Sequence, residues 1–86
     1  MVVAMTKPRE IELDVRGRLC PAPILELAQL IARQEVGTVI AVHSDDAAIA
    51  FDLPAWCQST GHELIAIEQR GNEHLGRVRK MHDRTL

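Results

Sequence analysis

The chain has 86 residues, 47% of them hydrophobic, which is one domain with enough apolar material for a compact core. A formal charge of −2 excludes the basic balance that nucleic acid or an anionic membrane surface calls for. One Trp, one Phe and no Tyr leave the core to Leu, Ile, Val and Ala. The two cysteines are not in Cys-x-x-Cys spacing, so they make neither a disulfide framework nor a zinc site. They point to a reduced, cytoplasmic setting. Met1 to Met5 is apolar but lacks the basic leader, full apolar core and cleavage site of a signal peptide. No run approaches the roughly twenty apolar residues of a spanning helix, so a soluble protein is expected.

Residues 1–8 read as a loose leader broken by Pro8, and a single domain is expected over 9–81, with 1–8 and 82–86 as flexible termini. Glu10-Ile11-Glu12-Leu13-Asp14-Val15 alternates polar and apolar, the period-two pattern of a half-buried strand, and Gly17 supplies the turn after it. From Pro21 to Gln34, Ile24, Leu27, Ala28 and Ile31 fall at helical spacing, with Gly37 as a stop signal. Thr38 to His43 is β-branched and apolar and reads as a more deeply buried strand. Strand, helix and strand in that order imply a right-handed crossover and parallel pairing. Ser44-Asp45-Asp46 offers capping side chains. Pro54 disfavours helix at Leu53, so a short turn is expected over 46–51, then a helix from about Leu53 to Thr60 with Asp52 near its N-cap and Gly61 closing it. Glu63–Gln69 and His74–Lys80 are strand-like, joined by the hairpin turn Arg70-Gly71-Asn72-Glu73. The order βαβαββ makes an α+β, two-layer sandwich: two helices packed on a four-stranded mixed sheet.

The most informative stretch is the junction between the first strand and the first helix. Pro21 and Pro23 suit a first helical turn, because a fixed φ fits the helix and the missing N–H has no intrahelical partner there. With Pro21 at N1, Cys20 is the N-cap, and the Ala22 N–H is the expected donor to its sulfur. An unperturbed cysteine has a pKa of about 8.5. A helix N-terminus contributes up to about 2 kcal/mol, or at most about one and a half pKa units. A moderately acidic thiol follows, and Arg16 and Arg18 add to it if they fold back.

Other candidates carry ordinary structural readings. Cys57 shares a helical face with Leu53 and Trp56, which favours burial and inertness. His43, His62, His74 and His82 show no ligand spacing and read as strand-end or surface residues, so no metal is expected. Asp45 and Asp46 read as caps rather than an acid pair. Arg77, Arg79 and Lys80 form either a nucleic-acid or partner stripe or the positive charge that protects an edge strand from aggregation. Gly17 is conformational, and Arg16 and Arg18 are read as steering an anion or a partner toward Cys20.

Asp14-x-Arg16-Gly17-x-x-Cys20-Pro21-x-Pro23-x-Leu25 resembles the Cys-Pro-x-Pro signature of the TusA/SirA/YedF-type sulfur carriers. The likeness continues through Val36–Val42, Ser44-Asp45-Asp46, Asp52–Cys57, Gly61–Leu64 and Arg79-Lys80; Arg18 stands where the family usually has leucine, with Leu19 following. The resemblance implies that Cys20 takes a sulfane sulfur as a persulfide and passes it to an acceptor protein. Pro21, Ala22, Pro23 and Gly17 would support the thiolate or persulfide, and Arg16, Arg18 and Leu19 would meet the partner. The implied donors are a cysteine desulfurase or a rhodanese-type enzyme. The implied sinks are tRNA thiolation, molybdenum-cofactor synthesis or sulfane oxidation. Such a protein is a carrier rather than an enzyme with its own substrate pocket, a monomer needing no cofactor beyond the sulfur itself. Two rivals are a regulatory or interaction module without persulfide chemistry and a redox enzyme with a disulfide at Cys20. The same βαβαββ layout resembles the C-terminal domain of translation initiation factor 3, but charge and lack of stacking aromatics argue against RNA. No resolving cysteine stands near Cys20 for the redox case.

Overall fold

The computed structural model describes residues 9–19 and 21–83. Six elements follow one another: β1 Glu10–Asp14, α1 Ala22–Ala32, β2 Val39–Ser44, α2 Ile49–Thr60, β3 Glu63–Arg70 and β4 Glu73–Arg79. The sheet order is β1-β2-β4-β3, with β1 parallel to β2 and β4 antiparallel to both its neighbours. The expected two-layer architecture is therefore present, with both helices on one face of a mixed sheet.

The core lies where that face meets the helices. Ile40, Val42 and Val78 from the two central strands pack with Leu27, Ile31, Leu53 and Cys57 from the helices. Complete burial of such a side chain stabilises the fold by about 1.5–3 kcal/mol relative to exposure. Gly76 makes the close packing of α2 possible, because a Cβ there would run into Leu53 Cδ2.

Two expectations need correction. α2 runs unbroken from Ile49, with Pro54 inside it and Ala48 at its N-cap, instead of starting near Leu53. Proline removes one backbone donor in the second turn, and burial of Ile49 and Leu53 on the same face outweighs that loss. The last strand is not an edge: β4 lies between β2 and β3. Arg77 and Arg79 instead reach sideways on the open face to Glu10 (3.3 Å) and Glu63 (3.0 Å), and the neighbouring Val39 and Ala41 are buried on that face without a helix over them. In the expected C-terminal tail His82 bonds to the Thr60 carbonyl and Asp83 to Lys80, and 1–8 and 84–86 lie outside the described residues.

Lys80 explains part of that tethering. The residue is 2% exposed, and its ammonium donates to the carbonyls of Gln34 (2.6 Å) and Ala32 (3.4 Å) and to Asp83 Oδ1 (2.6 Å). A cation thus closes the negative, C-terminal end of α1.

Candidate functional site

Parallel pairing of β1 and β2 places their C-terminal ends, and the first turns of the helices that follow, at one end of the sheet. The antiparallel β3–β4 turn arrives at the same end. Three loops converge there. Val15 is buried and its N–H donates to the His43 carbonyl (2.8 Å), which carries the β1–β2 pairing one residue past the strand. The chain then turns at Gly17, whose φ of 86° suits glycine and no other residue without strain. The Gly17 N–H donates to Asp45 Oδ1 (2.9 Å), fastening the β1–α1 loop to the β2–α2 loop.

Asp45 and Asp46 are both expected as helix caps, but no side-chain hydrogen bond caps α2 at Ala48, and Asp46 closes the turn just ahead of it. Asp46 Oδ1 accepts from the Ala48 N–H (3.0 Å), while Ser44 Oγ accepts from the Asp46 N–H (3.1 Å). The tie to Gly17 joins residues 28 apart, so no local spacing in the sequence signals it.

The start of α1 also differs in detail. Pro21, not Cys20, occupies the N-cap, and its carbonyl accepts from the Leu25 N–H (3.1 Å). The Ala22 N–H, expected to reach the sulfur, donates to the Leu19 carbonyl (2.9 Å). A carbonyl oxygen is the stronger acceptor, and with Pro21 and Pro23 lacking donors the Ala22 N–H is the one it takes. Cys20 itself lies outside the described residues. Its neighbours are exposed on both sides, Leu19 at 75% and Pro21 likewise at the surface, while Pro23 is buried and anchors the helix start to the core.

Both arginines of the loop are paired. Arg16 holds Asp14 with its Nε (2.9 Å) and a terminal nitrogen (2.8 Å), and extends its other nitrogen to Glu73 Oε2 (3.3 Å). The Arg16 side chain keeps the Asp14 carboxyl well below the usual carboxylate range, through hydrogen bonding first and charge second. Arg18 forms an ion pair with Glu26 of α1. The guanidiniums brace the loop against its neighbours, and their charge is met by carboxylates.

The other thiol contrasts with this setting. Cys57 is 4% exposed, and burial pushes its pKa up to about 11. Of the histidines, His62 and His82 stand at the opposite end of the sheet, and His43 pairs with Glu12 on the open face. His74 lies at the loop end on the helix-covered side and is buried. Among the described residues no group of three or more His, Cys, Asp or Glu side chains is placed to hold a metal.

Comparison with known proteins matches residues 11–80 to the family model described as sulfurtransferase TusA. A protein of Archaeoglobus fulgidus named "Putative sulfur carrier protein" is 37% identical over 59 residues, 69% of this chain and 81% of that one. A protein of the same description from Neisseria meningitidis serogroup A is 42% identical over 60 residues, again 69% of this chain and 81% of its own. The crystal structure of a SirA-like protein from Desulfitobacterium hafniense superimposes with a TM-score of 0.70 over 83% of this chain and 97% of that one. At 19% identity that likeness establishes the fold.

Proposed function

This chain belongs to the TusA sulfurtransferase family, and from that premise we propose that Cys20 carries a sulfane sulfur as a persulfide between two proteins. A sulfur carrier deals with a donor and an acceptor protein. The Cys20 thiolate attacks the terminal sulfur of the donor's persulfide, the donor S–S bond breaks, and the donor cysteine leaves as a thiolate. Cys20 now bears S–SH. An acceptor thiolate repeats the attack on that terminal sulfur and releases the Cys20 thiolate, so no outside oxidant or reductant is consumed.

The observation that supports this reading most is the contrast between the two cysteine positions. Leu19 and Pro21, on either side of Cys20, are exposed at the start of α1, whereas Cys57 is sealed in the core with its thiol held protonated. The positive end of α1 favours RS⁻ and RSS⁻ alike. Gly17, Pro21, Ala22 and Pro23 fix the course of the backbone into that helix, and Arg16, Arg18 and Leu19 form the rim that a partner meets. The donor is a cysteine desulfurase or a rhodanese-type enzyme, the relay works in the reduced cytoplasm, and its sinks are tRNA thiolation, cofactor synthesis or sulfane oxidation.

Intact mass tests the proposal. The protein is incubated with a cysteine desulfurase plus cysteine, and separately with a rhodanese plus thiosulfate. A species one sulfur atom heavier is expected, removed by reductant, absent in Cys20→Ser and present in Cys57→Ser. Sulfur retained in Cys20→Ser and lost in Cys57→Ser overturns the site. Cellular function retained by Cys20→Ser overturns persulfide chemistry in favour of an interaction module.

A further inference from the structure

Three large apolar side chains are left uncovered at the loop end: Leu19 at 75%, Leu25 at 57% and Phe51 at 78% exposure. Leu25 stands two residues from buried Pro23 and Leu27, and Phe51 two residues from buried Ile49 and Leu53. At about 100° per residue, both therefore point away from the sheet. Each lies in the first turn or so of its helix, and the two helices start at the same end of the sheet. Leu19 belongs to the loop that the Gly17–Asp45 bond fastens beside α2. The core does not use any of the three.

The rim around them has a sign. Arg18 is matched by Glu26, and Arg16 is shared by Asp14 and Glu73, which leaves one negative charge over. Asp45 in the β2–α2 loop adds a further formal charge of the same sign. A second copy of the chain docked symmetrically here would set this rim against itself, and nucleic acid or an anionic membrane would be repelled in the same way.

Resting on the sulfur-carrier reading, we propose that this end docks on a sulfur-exchanging protein whose contact surface offers an apolar recess for Phe51 and Leu25, bordered by Lys or Arg. Phe51 is the anchor, being the largest and the most exposed. The acidic rim speeds encounter and sets orientation, and the apolar contacts hold the complex while the sulfur moves.

The test measures kcat/KM for sulfur loading, by intact mass, with a purified cysteine desulfurase and with a rhodanese. Phe51→Ser is expected to lower it about tenfold and Leu25→Ser severalfold, while Ile65→Ser on β3 leaves it unchanged. Raising the ionic strength is expected to slow wild-type loading roughly fivefold. Loading by inorganic polysulfide, which needs no docking, stays the same in all these variants, and thermal melts confirm that they fold. A wild-type kcat/KM in Phe51→Ser, or enzymatic loading that rises with salt, overturns the docking inference and leaves the carrier intact. No sulfur on Cys20 from either enzyme or from polysulfide overturns the carrier reading itself. A dimer in solution that Phe51→Ser dissociates also overturns the proposal, by assigning the face to a second copy.

Discussion

The two ends of the sheet are built from similar polar groups put to opposite use. At the far end, where both helices finish, charge is drawn inward: Lys80 is 2% exposed and its ammonium sits on the carbonyls of Ala32 and Gln34. Beside it, His82 Nε2–H donates to the Thr60 carbonyl (2.6 Å), and the rings of His82, His62 and Trp56 are stacked in sequence. At the loop end the ion pairs are half in water, three apolar side chains are uncovered, and the helix starts face outward. Both helices run the same way relative to the sheet, so the negative end of α1 meets the buried cation, that of α2 meets the His82 ring, and their positive ends are presented to visitors. The far end secures the fold; the loop end is free to carry chemistry.

That division can be broken from either side, and the largest effect is expected at the far end. Lys80→Met leaves the α1 carbonyls without their donor and should lower the unfolding free energy by about 2–3 kcal/mol in a urea titration. Sulfur loading of the folded protein should stay at the wild-type rate. Gly76→Ala forces Leu53 from a fully buried seat and should cost about 1–3 kcal/mol by the same measurement. At the loop end, Asp45→Ala releases the Gly17 N–H from its side-chain acceptor. Stability should fall by about 1 kcal/mol or less, while enzymatic loading of Cys20 slows severalfold because the loop is no longer held.

The smallest effect is a pH dependence. Burial, with the nearby charges of His82 and Lys80, pushes the His62 pKa below its ordinary value, and the Met81 N–H donates to His62 Nδ1 (3.1 Å), a bond that only the neutral ring accepts. Neutral His62 is thus favoured by the folded state. Its contribution is complete above the ordinary histidine value of about 6.5 and is lost as pH falls below that through the lowered folded value. Stability should drop gently between roughly pH 7 and pH 5, where carboxylates scarcely titrate, and the slope should flatten in His62→Asn.

Much of this layout could be read from residue order. Alternation in Glu10–Val15, helical spacing from Ile24 to Ile31 and the β-branched run at Val39 each depend on neighbours in the chain, and each element formed where expected. The family signature around Cys20 was equally legible, since it is a local string. What escaped depends on contacts across the fold. Pro54 argued locally for a break, but burial of Ile49 before it decided the helix start. Residue order leaves the edge-strand reading of Arg77 and Arg79 open, because it does not show that β4 inserts between β2 and β3. The Gly17–Asp45 tie, the pairing of Arg16 with Glu73 and the exposure of Phe51 all arise only when the loops meet.

The two thiols should differ sharply in reactivity. Folded protein is pulsed with iodoacetamide across a pH series, and the labelled peptides are quantified. Cys20 should label readily, with a midpoint at or below the roughly 8.5 of a free thiol, while Cys57 stays unlabelled until the protein is unfolded. Labelling of Cys57 at the rate of Cys20, or a Cys20 that reacts only after denaturation, would contradict this difference.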